Sequence, residues 1–146
     1  MLLGTYNHSL DSKKRLIIPA KIAAKLDKEV VVSKGFEGCL ELRTELEFEK
    51  YSQKLLKLSQ NKKEARILIR QLLATAANLS IDNANRILIP NVLLDETKIK
   101  TQVTIIGLGD KLEIWDTNSY NEFKKLTDKT YEDIAERIDD DNGSKM

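Results

Sequence analysis

The sequence predicts an α+β fold of two pseudosymmetric, intertwined β-β-α-β-β repeats with flanking helices. Three observations predict it. The segment NHSLDSKKRLIIP, Asn7 to Pro19, returns without a gap as NLSIDNANRILIP, Asn78 to Pro90, 71 residues further on. Six of its thirteen positions are identical, and Leu10/Ile81, Leu16/Ile87 and Ile17/Leu88 are near matches. Each copy then leads through a proline and a short helical pattern into two β-type runs around a glycine turn, and each ends at a helix cap. A repeat of this length makes two-fold pseudosymmetry the first expectation.

In the first half, Leu2 to Tyr6 reads as a strand and Asn7 to Lys14 as a polar turn. Arg15 opens the short run Leu16-Ile17-Ile18, which Pro19 ends. Proline suits the first turn of a helix, where its missing N–H costs nothing. Ile22, Ala23 and Leu26 give that helix one apolar face. Val30 to Val32 is a β-branched strand, Gly35 and Gly38 mark a turn, and Cys39 to Leu42 returns. Thr44 with Glu47 three residues later is a capping-box pattern. A helix is expected from Glu45 to about Leu58, with Phe48, Tyr51, Leu55 and Leu58 as its stripe. Ser59-Gln60-Asn61 loosens it, and a second helix spans Lys62 to about Leu73.

The second half repeats the plan. Arg86 opens Ile87-Leu88-Ile89, Pro90 follows, and a short helix lies near Val92 to Leu94. Val103 to Ile106 and Leu112 to Trp115 are strands about the turn Gly107 to Asp110. At Leu40/Leu112, Glu41/Glu113 and Leu42/Ile114 the offset is 72, so one extra residue is placed between motif and hairpin. Asp116 stands where Thr44 stood, as an N-cap, and one helix is expected from Thr117 to about Ile138. The units are therefore 1–74, a first repeat with its helices; 75–138, a second repeat with a C-terminal helix; and 139–146, an acidic disordered tail.

Two halves of this size would be marginal alone, so intimate packing between them is expected. With 41% hydrophobic and 32% charged residues the chain reads as soluble and globular. Its apolar runs are too short for a membrane, and MLLGTYNHSLD does not read as a signal peptide. The lone Cys39 reads as a buried small hydrophobe. Residues 1–74 hold 15 Lys+Arg and 9 Asp+Glu, a net of +6; residues 75–146 hold 9 and 14, a net of −5. Such asymmetry suits an anionic partner or head-to-tail self-association.

The repeated polar element is Asp-x-x-x-Arg: Asp11 to Arg15, and Asp82 to Arg86. An aspartate carboxylate bonds backbone N–H groups a few residues on and so fixes a turn. Lys14 and Asn85 are candidates for its tight position. The carboxylate can also brace the guanidinium through two charge-assisted bonds. The simplest reading is a salt pair that fixes each turn. The other is that a braced Arg presents its fork to an anion or to guanine O6 and N7. Lys13 and Lys14 flank the first arginine, whereas Ala84 and Asn85 flank the second, so the two sites are duplicated but unequal.

GTYNHSLDSKKRLIIP and its echo NLSIDNANRILIP resemble the two motifs of the MraZ family, bacterial regulators associated with the division and cell-wall gene cluster. The resemblance covers nearly the whole chain. It implies an AbrB-like swapped-hairpin (double-split β-barrel) fold, assembly into a ring-shaped homo-oligomer, and double-stranded DNA as partner. The implied activity is repression of the chain's own operon through repeated G-rich boxes at its promoter, in the cytoplasm and on the nucleoid. It maps the family's DNA-contacting Asp-x-x-x-Arg motif onto Asp11 and Arg15 and onto Asp82 and Arg86. On charge grounds Arg15 and Arg86 are expected to read guanine edges, Asp11 and Asp82 to orient them away from the phosphates that repel carboxylates, and Lys13 and Lys14 to contact phosphates. The runner-up is a protein-binding scaffold or antidote-like protein of the same fold.

Other residues fit structural roles. His8 is the only histidine and lacks a nucleophile or acid partner; a turn or an exposed ring suits it. No enzyme activity, cofactor or metal site is expected. Gly107-Leu108-Gly109-Asp110 lacks both nucleotide fingerprints. Trp115 and the pairs Phe48/Tyr51 and Tyr120/Phe123 read as packing rather than as base-stacking platforms.

Overall fold

A computed structural model of the chain describes residues 1–145, with side chains described as far as residue 140. The first repeat comprises β1 (Leu2–Ser9), β2 (Arg15–Ile17), α1 (Ala20–Ala23), β3 (Glu29–Lys34) and β4 (Leu40–Thr44). The helices α2 (Glu45–Leu56) and α3 (Lys63–Thr75) follow. The second repeat comprises β5 (Ala77–Ser80), β6 (Arg86–Leu88), α4 (Asn91–Asp95), β7 (Gln102–Gly109) and β8 (Leu112–Asp116). It is followed by α5 (Thr117–Thr127), a 3-10 turn (Asp128–Thr130) and α6 (Tyr131–Lys145).

The repeats are swapped. A six-stranded antiparallel sheet runs β1-β7-β8-β4-β3-β5, and exchanging the repeats maps this order onto itself. The opening strand of each repeat therefore pairs with the hairpin of the other: β1 with β7, from Leu2↔Gly109 to Ser9↔Gln102, and β5 with β3, from Glu29↔Ser80 to Val32↔Ala77. The pseudo-axis passes between β4 and β8, where Glu41 faces Glu113. It also passes through a separate two-stranded ribbon, β2 with β6, where Leu16 faces Ile87.

This is the predicted α+β architecture of two intertwined repeats, and neither half can leave without opening the other's sheet. The core shows why the apolar pattern was duplicated. Leu16, Ile18, Ile22, Leu40 and Leu42 are fully buried, and so are their counterparts Ile87, Ile89, Leu93, Leu112 and Ile114. Burying each such side chain is worth about 1.5–3 kcal/mol. Pro19 and Pro90 sit at the N-caps of α1 and α4, and each short helix drops one anchor, Ile22 or Leu93, into the core.

The opposite face of the sheet is covered by the helices that follow each repeat. Thr44 Oγ1 accepts from the Glu47 N–H at 3.2 Å, and an Asp116 carboxylate oxygen accepts from the Ser119 N–H at 3.1 Å, so both expected N-caps form. Trp115 is buried there, edge-on to Tyr120 at 5.3 Å and tilted against Phe123 at 5.4 Å. Cys39 is buried beside them. Under α2, Arg43 Nη1 lies 2.7 Å from Glu41, and its guanidinium lies 3.8 Å from the Tyr51 ring centroid. Lys111 reaches the other Glu41 oxygen at 3.1 Å. Neither Arg43 Nη1 nor the Glu41 oxygen facing it has an aligned hydrogen bond, so theirs is a charge contact.

Several expectations change. The repeats differ by more than one inserted residue. Val30 pairs with Thr44 as Val103 pairs with Asp116, so the offset between the first hairpin strands is 73. Two residues have entered before β7, and the hairpin turn is one residue shorter. The first turn holds three residues, Phe36 to Gly38, closed by Gly35 N–H to Cys39 O at 2.9 Å. The second holds two, Gly109 and Asp110, closed by Leu108 N–H to Lys111 O at 2.9 Å, with Gly109 at φ 87°. Glycine at the first central position of a two-residue turn is the type II′ preference. Gly107 lies in β7 instead of the turn, and a Cβ there would meet the Leu3 backbone nitrogen at 2.5 Å.

The expected single helix from Thr117 breaks at Asp128–Thr130. Thr127 Oγ1 donates to Phe123 O at 2.9 Å and Thr130 Oγ1 donates to Thr127 O at 2.7 Å. Hydroxyls that bond the carbonyls of their own helix offer the backbone an alternative to its ladder. The segment expected as a tail over 139–146 takes helical backbone in α6 as far as Lys145, and Met146 lies outside the described residues. His8 belongs to β1, opposite Val103, because β1 extends three residues past Tyr6.

Candidate nucleic-acid interface

Each Asp-x-x-x-Arg segment folds into the same turn. In the first, Asp11 N–H donates to Arg15 O at 3.0 Å and Lys14 N–H donates to Asp11 O at 3.0 Å. In the second, Asp82 N–H donates to Arg86 O and Asn85 N–H donates to Asp82 O, both at 2.9 Å. Lys14 has φ 65° and Asn85 φ 60°, the left-handed position expected of them. Asparagine tolerates it better than lysine.

The aspartate organises each turn from within. Asp11 Oδ1 accepts from the N–H groups of Lys13 and Arg15 at 2.8 and 2.9 Å, while Oδ2 accepts from Arg15 Nε at 2.7 Å. Asp82 repeats this: Oδ1 accepts from Ala84 and Arg86 N–H, and Oδ2 from Arg86 Nε, all at 2.9 Å. The brace is therefore one guanidinium bond plus backbone bonds, and the two-bonded fork that the sequence suggested does not form. One carboxylate oxygen is spent on the turn. The consequence favours presentation: each arginine is held by Nε, and its terminal nitrogens have no partner among the described residues.

The turns support one another across the pseudo-axis. Ile18 N–H donates to Asn85 O at 2.7 Å, and Ile89 N–H donates to Lys14 O at 3.2 Å. The strands leaving the turns form the β2–β6 ribbon, with Arg15 opposite Leu88 and Arg86 opposite Ile17. Side chains alternate across a strand. Leu16 and Ile87 point into the core, so Arg15, Ile17, Arg86 and Leu88 share the outward face. Lys13 and Lys14 are exposed beside Arg15. The fold thus brings both arginines to one face, each bonded to its aspartate, with Lys13 and Lys14 exposed in the first turn. What the sequence reading missed is that Ile17 and Leu88 accompany the arginines; strict alternation from the buried Leu16 and Ile87 was the available signal.

Both aspartates are held below the usual carboxylate range. The first cause is the bond from the backbone N–H of Arg15 or Arg86; desolvation opposes it, and the arginine side-chain bond adds to it. A depressed folded value gives stability that is complete above the ordinary carboxylate value and lost as pH falls through the folded one. Melting curves taken downward from about pH 6 should therefore show the wild type losing more of its melting temperature than Asp11→Asn/Asp82→Asn. Parallel acid limbs would show that these carboxylates stay out of the linkage.

Among the described residues no helix is long and apolar enough to cross a membrane, and no acidic, His or Cys cluster is arranged to hold a metal. A family model described as "MraZ protein, putative antitoxin-like" matches the chain twice, over residues 1–71 and 72–142. Each match contains one of the two swapped repeats, and the boundary between them falls within α3. A "Transcriptional regulator MraZ" of Mycoplasmoides gallisepticum is 43% identical over 142 residues, covering 97% of this chain and 100% of the relative. One of Mesoplasma florum is 48% identical over 139 residues, covering 94% and 95%. Another, of Caldanaerobacter subterraneus subsp. tengcongensis, is 40% identical over 142 residues, covering 97% and 99%. With both repeats matched and the relatives aligned end to end, the chain belongs to the MraZ family.

Proposed function

We propose that the chain is a sequence-specific, DNA-binding transcriptional regulator that represses its own division and cell-wall operon by binding repeated G-rich boxes. The observation that carries this reading is the pair of braced arginines on the outward face of one ribbon. A two-stranded ribbon fits the major groove as a helix does, and an arginine fork matches guanine O6 and N7. Asp11 and Asp82 fix the arginines and stay off the phosphates, which repel carboxylates. Lys13 and Lys14 meet phosphates, and Arg15 and Arg86 read bases.

Self-association into a ring completes the proposal. It would line several ribbons along one duplex, and tethering makes each later contact effectively intramolecular. Exposed apolar residues on the helices, among them Leu46, Leu56, Leu126 and Tyr131, support subunit contacts there. The protein then works in the cytoplasm and on the nucleoid. The same exposed residues, with the antitoxin-like description of the family, favour a second reading: a protein-binding scaffold or antidote in which DNA contact is secondary.

Titration against the chain's own upstream DNA at several salt concentrations, beside a scrambled duplex, separates the two. The regulator reading expects tight binding to the first alone. Equal affinity for both duplexes would sink sequence-specific recognition. Lys13→Ala/Lys14→Ala should weaken both duplexes and lower the salt slope by about 0.9 for each phosphate no longer neutralised. An unchanged slope would remove the two lysines from the phosphates.

A further inference from the structure

We propose that Ile17 and Leu88 are specificity residues that read the C5-methyl groups of thymines flanking the guanines read by Arg86 and Arg15. The inference rests on the DNA-binding reading above. Ile17 is 46% exposed and Leu88 is 57% exposed, although both belong to a ribbon whose inward positions are sealed. A sheet face turned to water ordinarily carries polar residues. One exposed aliphatic residue would need no explanation. Here the exposure recurs at positions related by the pseudo-axis, 71 residues apart, in both repeats.

The placement is specific. Ile17 lies directly opposite Arg86, and Leu88 directly opposite Arg15. Cross-strand neighbours on one face have Cβ atoms about 4.5–5.5 Å apart. Successive bases on one DNA strand rise by about 3.4 Å. Each arginine and its apolar neighbour therefore span one to two base steps. The chemistry at that spacing is complementary: a fork of donors beside a hydrocarbon patch, against guanine acceptors beside a methyl. Thymine alone presents a methyl in the major groove, and aliphatic side chains are among the groups that contact it. In both repeats the ribbon thus pairs a polar reader with an apolar one.

The contact is tested by removing the methyl and nothing else. Wild-type protein is titrated against its own upstream duplex carrying thymine, and against the same duplex with deoxyuridine at every thymine. The full-length Ile17→Ser/Leu88→Ser variant is titrated against both. Burying one methyl is worth roughly fourfold in affinity. The wild type should therefore bind the uracil duplex at least about fourfold more weakly. The variant should bind both duplexes alike, near the wild type's affinity for uracil DNA.

Equal wild-type affinity for the two duplexes overturns the proposal while leaving DNA binding standing. So does a variant that keeps the wild-type preference for thymine. A variant whose assembly mass differs from wild type would place these residues at a subunit contact and overturn it as well. No wild-type binding to the thymine duplex would overturn the DNA-binding reading and this inference together.

Discussion

Arg15→Ala/Arg86→Ala is expected to lose binding to the upstream duplex while keeping the wild-type assembly mass. Each well-placed arginine–guanine pair is worth about 1–3 kcal/mol of discrimination. Two arginines per chain then cost about 2–6 kcal/mol, roughly thirtyfold to ten-thousandfold, and an oligomer multiplies the loss through avidity. The fold should tolerate the change. Both side chains lie on the solvent face, and the turns keep the backbone bonds to Asp11 and Asp82.

Arginine-to-lysine changes at the same positions should recover little. An ammonium offers charge without the planar fork. It also cannot be held by one nitrogen while presenting two others, as the Nε bond allows here. Wild-type-like binding by a correctly assembled double alanine variant would remove the arginines from readout and leave the turn-fixing salt pair as the motif's whole role.

Much of this arrangement was legible beforehand because it was written twice. The repeat located both turns, and the pairing of buried positions such as Ile18/Ile89 followed from it. The left-handed residue of the second turn followed from the short polar side chain of Asn85, that of the first, Lys14, from its register with Asn85, and both N-caps from Thr44 and Asp116. Part of what stayed hidden depends on contacts distant in sequence. Which hairpin each opening strand joins is decided across the whole chain, and β1 finds Gln102 to Gly109 for its partner. The offset change also misled, since an insertion of two and a deletion of one leave a net of one. The break at Asp128 turns on which carbonyl each threonine hydroxyl finds.

The buried pair Glu41–Arg43 escaped notice for a related reason, and it carries the second large prediction. In the sequence CLELRT the two charges alternate with Leu40 and Leu42, as on a half-exposed strand. The fold instead covers that face with α2, leaving Glu41 1% exposed. Strand pairing then sets Glu41 against Glu113 on the pseudo-axis. Directly opposed like charges destabilise a sheet. Three groups relieve this one: Arg43 at 2.7 Å and Lys111 at 3.1 Å from Glu41, and the Trp115 indole N–H, which donates to Glu113 at 2.9 Å.

Arg43→Ala should therefore cost roughly 3–5 kcal/mol, the usual range when one partner of a buried pair is removed. It strands Glu41 opposite Glu113 and also takes the guanidinium away from the Tyr51 ring. For a chain of this size the melting temperature should fall by about 10 °C or more. Glu41→Leu/Arg43→Leu should recover most of that loss, because apolar replacement of a buried ion pair is often neutral or stabilising. The recovery separates electrostatic from packing causes. An Arg43→Ala melting temperature within about 2 °C of wild type would mean that Lys111 alone neutralises the axis. A double variant as unstable as the single would mean that Arg43 acts through its stack on Tyr51, since the leucine pair restores no cation–π interaction. The double variant also keeps Arg15 and Arg86 on their ribbon, on the other side of the core, so it should bind the upstream duplex like wild type. Loss of binding in a stable, correctly assembled double variant would tie the axis to the reading face through the sheet they share.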